Sequence, residues 1–181
     1  MKRFIAGLTS AVLMLTGAGL PGKILRRQTD WILSVSAETE TSGVCDSAAG
    51  TLQWALDASG TLTISGEGKM KSWTSAFNVP WASVKEQIKK AVVAEGISNI
   101  GRNAFNGCNR LTDIALPQSV SVIESQAFYG CSSMSDDMEI PKLSYLGKYA
   151  FYGCSSLEEV IIPNDITEIN RYGFSGCSSL K

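Results

Sequence analysis

The sequence predicts a mainly β fold: a solenoid of 23-residue coils with a parallel sheet, preceded by an N-terminal cap that contains a β-hairpin. Three columns of identical residues, which recur every 23 positions, support this prediction. They are Phe105, Phe128, Phe151 and Phe174, then Gly107, Gly130, Gly153 and Gly176, then Cys108, Cys131, Cys154 and Cys177. A period in the twenties with apolar residues at fixed positions is typical of stacked repeats, in which each coil is covered only by its neighbours.

Each coil is predicted to contain one short strand. The stretches LTDIAL and LEEVII alternate apolar and polar residues, as a strand with one buried face does. Pro117 and Pro163 then end the alternation, because proline cannot donate a hydrogen bond to a β-ladder. Stacking of the coils places successive strands side by side in parallel, about 4.8 Å apart.

The second half of the coil is predicted to face inward and then turn. In VSVIESQAFYGC the residues expected inside are Val120, Ile123, Ala127 and Phe128, and the segment closes on Gly130, which tolerates a positive φ. The third unit, SMSDDMEIPKLSYLG, has one extra residue before Pro141 and one fewer after it. We interpret this departure as a β-bulge that keeps the unit length at 23.

The cap is predicted over residues 38–87. The stretch TLQWALDASGTLTIS begins with alternating apolar side chains, turns at DASG and alternates again, which indicates a hairpin. Trp73 and Trp81 follow it. Because the first coil of a solenoid has no neighbour on one side, we expect the hairpin and these two indoles to cover that end.

The order of residues in LTDIALPQSVSVIESQAFYGC resembles the BspA-type leucine-rich repeat, whose signature ends in A-F-x-x-C. The resemblance covers residues 88–181, with about four repeats, the last of them truncated. It extends upstream, where GTLQWALDASGTLTISGEGKM is similar to the cap that precedes such repeats in bacterial secreted proteins. The resemblance implies a bacterial surface or secreted protein with an adhesion-like binding role and no catalytic residues.

Residues 1–37 are expected to be a signal peptide. Met1, Lys2 and Arg3 give a positive start, and the apolar stretch FIAGLTSAVLMLTGAGL follows. Cleavage is expected after Ala18 or after Ala37, where the acidic ETETSG begins. The alternative is an uncleaved membrane anchor, but a stretch interrupted by three glycines is short for a span of about 20 residues. We therefore expect a secreted or cell-surface protein without membrane insertion after signal removal.

The charge of the chain is unevenly distributed. Five of its sixteen basic residues lie within the first 37 positions, together with one acidic residue. The remaining chain therefore has 11 basic and 16 acidic side chains, a net charge of −5. A mildly acidic body gives no electrostatic reason to expect nucleic acid as a partner.

The five cysteines favour disulfides in an exported protein. Four of them share one column, however, so their Cα–Cβ vectors are parallel and about 4.8 Å apart, whereas a disulfide needs Cβ atoms about 3.8 Å apart. We expect free, buried thiols. The chain has no histidine and no C-x-x-C pair, so we predict no metal site, no cofactor and no Ser-His or Cys-His catalysis. An enzyme is not expected.

Outward positions of successive strands are predicted to align in two files. The first file contains Lys90, Asp113, Asp137 and Glu159, and the second contains Val92, Ala115, Glu139 and Ile161. Neighbouring carboxylates on a sheet repel one another, so one interpretation is a site for a basic protein patch, another cationic ligand or Ca²⁺. The alternative is a solvated face whose acids blunt association between sheets. The candidate ligand-binding residues are Asp113, Asp137, Glu139, Glu159 and Ile161.

Two classes of function remain. The first is an interaction module that binds a protein or polysaccharide through the strand face. The second is a structural spacer that presents or anchors a missing C-terminal domain, for example an enzyme. The last residues, CSSLK, begin a further unit and stop before its strand. We therefore expect either a fragment of a longer protein or a last coil that pairs with another chain.

Overall fold

The computed structural model describes residues 41–46, 51–135, 138–140, 142–164, 166 and 169–181. The predicted signal peptide and both cleavage positions lie outside this part of the chain. The described strands are β1 Thr41–Asp46, β2 Thr51–Leu56, β3 Thr61–Ser65, β4 Lys90–Val93, β5 Asn99–Ile100, β6 Asp113–Ala115, β7 Val122–Ile123, β8 Met138–Glu139, β9 Tyr145–Leu146 and β10 Val160–Ile161. One 3₁₀ helix spans Ala82–Gln87. Among the described helices, none is long and apolar enough to cross a membrane.

The predicted hairpin of the cap is confirmed, because β2 and β3 pair antiparallel. The turn between them closes through the N–H of Gly60, which donates to the carbonyl of Asp57 at 3.1 Å. The Asp57 carboxylate accepts hydrogen bonds from the hydroxyl of Ser59 at 2.6 Å and from the N–H of Thr61 at 2.9 Å. These donors, the Ser59 hydroxyl first, stabilise the carboxylate and lower the pKa of Asp57.

A third antiparallel strand, β1, extends the cap on the other side of β2. Cys45 on β1 lies opposite Leu52 on β2, and both side chains are fully buried. Sequence analysis missed β1 because its six residues, TSGVCD, contain only two apolar side chains, and one of these, Val44, is exposed. Such a stretch carries almost no period-2 signal.

The sheet of the cap continues into the repeats. β3 pairs in parallel with β4, and β4 pairs in parallel with β6, which gives the order β1-β2-β3-β4-β6. Further along the chain β8 and β10 also pair in parallel, with Glu139 beside Ile161. Paired residues of these two strands are 22 positions apart in the sequence, one fewer than the repeat length of 23. This confirms the predicted extra residue before Pro141 in the third unit. The bulge itself stays a prediction, because residues 136–137 and 141 lie outside the described chain.

The prediction of one strand per coil is wrong. A second parallel ladder runs through the other half of the coils, where β5, β7 and β9 pair in order. Each of these strands has only two residues, of which the second, Ile100, Ile123 or Leu146, is buried. Two residues are too few to show alternation, so the pattern that identifies longer strands gave no signal here.

A continuous stack of aromatic rings forms the centre of the core. Neighbouring ring centroids lie 6.0, 5.3, 5.0 and 5.2 Å apart along the series Trp81, Phe105, Phe128, Phe151 and Phe174. The three central phenylalanines are fully buried, while Phe174 is only partly buried. The predicted phenylalanine ladder is therefore the spine that holds successive coils together.

Trp81 closes the N-terminal end of this stack. Trp54 of the hairpin and Trp73 of the following loop pack edge-on against it, with centroids 6.2 and 5.4 Å away. Its indole N–H donates to the carbonyl of Ala104 at 2.8 Å, so the buried polar atom is satisfied. The structure confirms the expectation that these tryptophans cover the first coil.

The four repeat cysteines are free thiols that line the core beside the rings. The S–H groups of Cys131, Cys154 and Cys177 each donate to a phenylalanine carbonyl 26 residues earlier, at 3.1–3.2 Å. Burial raises the pKa of Cys108 to about 12 and that of Cys131 well above its ordinary value. These thiols act as small core residues that also tie adjacent coils together, as the sequence predicted.

Two buried asparagines attach the loop after the hairpin to the first coil. Asn99 accepts the N–H of Met70 at 2.7 Å and donates to its carbonyl at 3.0 Å. Asn103 donates to the carbonyl of Trp73 at 2.8 Å. The side chain of Glu124 in the next coil also accepts from Asn99 at 3.0 Å. The loop is therefore a fixed part of the cap, and these polar groups have structural roles.

Candidate binding surface

The outward side of the five-stranded sheet, with the matching positions of β8 and β10, forms the surface that we call the strand face. Thr63, Val92 and Ala115 lie side by side on β3, β4 and β6. Their inward neighbours on β3 and β4, such as Ile64 and Ala91, are buried. Val92 is 39% exposed and Ala115 is also exposed. Short side chains on paired strands give this part of the face a flat contour.

A charged row runs beside these short side chains. Lys90 on β4 lies next to Asp113 on β6, and the Lys90 Nζ is 3.4 Å from the Asp113 Oδ2. The two side chains are 59% and 36% exposed, so solvent screens the pair and it contributes little to stability. The structure thus confirms the predicted neighbourhood of Lys90 and Asp113. It also shows that the first predicted site carboxylate is partly neutralised by its neighbour.

The structure describes some of the remaining acidic candidates fully and others only in part. Glu159 is exposed immediately before β10. Glu139 is located by its backbone, which lies beside Ile161, and Asp137 lies outside the described residues. The proposed row of three carboxylates therefore stays a prediction. Ile161 is 54% exposed, an unusual position for a large apolar side chain, and its predicted alignment with Val92 stays a prediction.

Glu158, the neighbour of Glu159, makes an ion pair that sequence analysis did not foresee. Its Oε2 accepts from the Nζ of Lys181 at 2.7 Å, which lowers the pKa of the Glu158 carboxyl, mainly through that hydrogen bond. Both side chains are exposed. An open groove of about 570 Å³ adjoins this pair. Its lining includes the exposed Glu159 and the apolar side chains of Ile169, Phe174 and Leu180.

Sequence analysis missed a second cluster, which is half-buried to exposed and lies on the turns of the coils. It consists of Tyr129, Tyr149, Tyr152 and Tyr172, which together we call the tyrosine face. The signal was present, because AFYGC occurs in two successive coils and the other two tyrosines are also 23 residues apart. These residues fall outside the apolar columns that define the core, so a search for core periodicity passes over them.

The described residues hold no group of three or more metal-ligating side chains. The fold instead defines a class, a leucine-rich-repeat solenoid with an N-terminal cap. The sequence profile described as "BspA type Leucine rich repeat region" matches residues 83–181 in six copies. This match covers more than half of the chain. The protein belongs to the BspA-type leucine-rich repeat family.

Two solved bacterial structures are similar to the chain. A leucine-rich repeat protein from Eubacterium ventriosum is 26% identical, with a TM-score of 0.55, over 70% of this chain and 39% of the other. The T. pallidum leucine-rich repeat protein is also 26% identical, with a TM-score of 0.53, over 71% of this chain and 66% of its own length. The chain thus spans less than two thirds of either protein. The comparison with curated proteins gave no match.

Proposed function

We propose that the protein is a secreted or cell-surface interaction module without catalytic activity, which binds a protein or polysaccharide through its strand face. The observation that carries the proposal is the exposed row of Thr63, Val92 and Ala115 on strands that pair in register. A flat face on a rigid solenoid offers a large area of contact at little cost in conformational entropy.

Membership of the BspA-type leucine-rich repeat family supports an interaction role, since the repeat fold provides a surface and no catalytic constellation. The positively charged start and apolar stretch of residues 1–37 support export, and an adhesion-like role follows from a binding surface displayed outside the cell. A spacer that merely presents another domain would not require the strand face to remain exposed.

The acidic residues are proposed to border the binding row. Asp113 is half-buried on β6, and Glu159 and Ile161 are exposed at β10. Asp137 and Glu139 complete the predicted set. In this arrangement a basic protein patch, another cationic ligand or Ca²⁺ would lie over the carboxylates, while apolar groups of the partner cover Val92 and Ile161.

The proposal is tested with a panel of immobilised extracellular proteins and purified polysaccharides. Val92→Lys places a long charged side chain in the centre of the flat row, and we expect it to abolish retention of the partners that bind the strand face. Phe77→Lys is the control, because Phe77 is 80% exposed and lies in the loop between β3 and β4. Equal retention of both variants would refute binding through the strand face, and it is the result that a spacer predicts.

The acidic border needs a separate variant. The triple change Asp113→Asn, Asp137→Asn, Glu159→Gln keeps side-chain size and removes three charges. We expect weaker binding of a basic partner, a loss that shrinks as salt is raised, and unfolding at the same or slightly higher denaturant concentration. Unchanged affinity, together with salt-independent binding by the wild-type chain, would remove the acids from the mechanism and leave Val92, Ala115 and Ile161.

A further inference from the structure

The tyrosine face consists of two short stacks of rings joined at one edge. The centroids of Tyr129 and Tyr152 are 4.8 Å apart and those of Tyr149 and Tyr172 are 5.0 Å apart, with nearly parallel rings. Tyr149 and Tyr152 meet edge-on at 5.8 Å. Each stack advances by one coil of the solenoid. The surface therefore repeats an aromatic group at the coil spacing, about 5 Å.

The backbone beneath two of these rings is in an uncommon conformation. One position in each coil has a positive φ of 58–61°, and its occupants are Asn103, Gln126, Tyr149 and Tyr172. Asparagine tolerates this left-handed region well, whereas a bulky side chain rarely adopts it. Tyr172 is 49% exposed, so core packing does not account for a tyrosine at this position. Strained backbone positions of this kind cluster at functional sites.

Two of the three turns that carry the tyrosines contain a cation and no acidic residue. Residues 147–154 include Lys148, and residues 170–177 include Arg171. Lys148 directly precedes Tyr149, and Arg171 directly precedes Tyr172. The guanidinium carbon of Arg171 is 5.7 Å from the centroid of the Tyr172 ring. Each of these two coils therefore presents one cation next to one ring.

Among the described residues, the preceding coil places the carboxylate of Glu124 near this surface, and that carboxylate is already engaged. Glu124 accepts hydrogen bonds from Asn99, from the N–H of Arg102 and from the hydroxyl of Ser72. The equivalent positions in the next two coils are Gly147 and Asn170. Within the described chain, the four phenolic hydroxyls have no hydrogen-bond partner among protein atoms. The surface thus offers cations, ring faces and free hydroxyl groups.

The column of Tyr129 and Tyr152 continues into Ser175, which is exposed and has no ring. Tyr129 covers one side of Tyr152, while the side toward Ser175 has no aromatic neighbour in the described chain. A ring at position 175 would complete the stack. Its absence leaves that side of the Tyr152 ring, toward the coil that carries Arg171 and Tyr172, without an aromatic neighbour among the described residues.

We propose that the tyrosine face is a second binding site, separate from the strand face, for an anionic polysaccharide built from uronic acid residues. A uronic acid carries one carboxylate and one sugar ring in each unit, and one face of that ring presents C–H groups. The polarised C–H groups of the sugar ring lie on the negative face of Tyr152, its carboxylate pairs with Arg171 or Lys148, and its hydroxyls bond to the phenolic hydroxyls. Successive sugars then follow successive coils.

Three features favour this ligand over other polyanions. An acidic peptide supplies carboxylates without a ring on each unit, and so leaves the stacking positions unused. Single-stranded nucleic acid supplies rings and charge, but the expected signal peptide places the protein outside the cell. The free phenolic hydroxyls match a ligand rich in hydroxyl groups.

The test uses the full chain and oligogalacturonate of defined length as the probe, with binding measured by calorimetry and by tyrosine fluorescence at low and high salt. The chain itself supplies the substitutions. Tyr172→Asn copies Asn103, Tyr152→Asn copies Asn106, and Lys148→Ser copies Ser125. Each replacement therefore already exists at the same position of another coil and preserves the fold. We expect each to weaken binding about tenfold.

Tyr145→Val is the matched control. Tyr145 is an exposed tyrosine on β9 outside the tyrosine face, and valine copies Val122 of the preceding coil. We expect this variant to bind like the wild-type chain, and the strand-face variant Val92→Lys to bind normally as well. Loss of binding in Val92→Lys alone would assign the ligand to the strand face and overturn the proposal.

Two competing polyanions complete the experiment. Polyglutamate and a single-stranded oligothymidylate of the same charge are titrated in parallel, and both should bind at least about tenfold more weakly than oligogalacturonate. Equal or tighter binding of either one contradicts the proposed ligand class. The absence of oligogalacturonate binding at low salt, where a charged ligand binds best, also contradicts it.

Discussion

Removal of one ring from the central aromatic stack should lower the free energy of unfolding more than removal of any exposed ring. Phe128 is fully buried between Phe105 and Phe151, with ring centroids 5.3 and 5.0 Å away. Its N–H donates to the carbonyl of Ala150 at 2.8 Å, and its carbonyl accepts the S–H of Cys154. The side chain thus lies at the junction of three coils, where the backbone is fixed on both sides.

The substitution Phe128→Ala is expected to cost about 4–5 kcal/mol, the upper part of the range for a buried phenylalanine. Two reasons place it there. The alanine loses two stacking partners, each worth roughly 0.5–1.5 kcal/mol beyond burial, and the hydrogen-bonded coils on both sides limit collapse into the cavity. Phe174→Ala removes a partly buried ring with one stacking partner at 5.2 Å, and we expect about half that cost.

The assay is urea unfolding followed by far-ultraviolet circular dichroism, with the slope m compared between variants to detect loss of cooperativity. Phe77→Ala is the control, since Phe77 is 80% exposed and should change stability by less than about 0.5 kcal/mol. The expected order of cost is Phe128, then Phe174, then Phe77. Equal costs for Phe128→Ala and Phe77→Ala would refute the stacked-ring core.

Three further outcomes follow from the geometry. The buried repeat cysteines should resist alkylation in the native protein and react without reductant after denaturation, while Cys177 reacts first, because it is the least buried of the four; a disulfide between repeat cysteines would contradict this. Asp57→Asn should lower the urea midpoint at pH 7 but not at pH 2: the pKa of Asp57 is lowered from 3.8, so its contribution is complete above that value and is lost as the pH falls through the folded-state pKa. A constant difference between wild type and variant at both pH values would disprove the role of that carboxylate. Gly147→Ala should destabilise by about 1–3 kcal/mol, since a methyl group there would meet the backbone of Ser125; an unchanged urea midpoint would show that the coils are less closely packed than described.

Strict spacing explains why the core was predictable from the sequence. Phe128 and Cys131 repeat at 23-residue steps because each must contact its equivalent in the next coil. This contact requires the same residue type at a constant spacing, which is visible in the sequence. The alternation around Ile64 and the position of Trp81 were equally informative, because a capping hairpin needs one apolar side. In each case the apolar pattern exists because these side chains are buried.

The features that sequence reasoning missed produce no regular pattern of residue types in the sequence. The two-residue strands β5, β7 and β9 are defined by backbone hydrogen bonds, which do not depend on side-chain identity. The ion pair of Glu158 with Lys181 joins residues on adjacent coils and becomes visible only with coordinates. The tyrosine face depends on which turn positions point to solvent, and the positive φ of Tyr149 and Tyr172 is unexpected for tyrosine.

Site-specific photo-cross-linking shows directly whether this leucine-rich repeat protein binds a partner through the strand face. A photoreactive phenylalanine analogue is placed at Val92 in one variant and at Phe77 in another, and each is irradiated with a partner retained on the panel. We expect a covalent adduct from position 92 and none from position 77. An adduct from position 77 alone would contradict it.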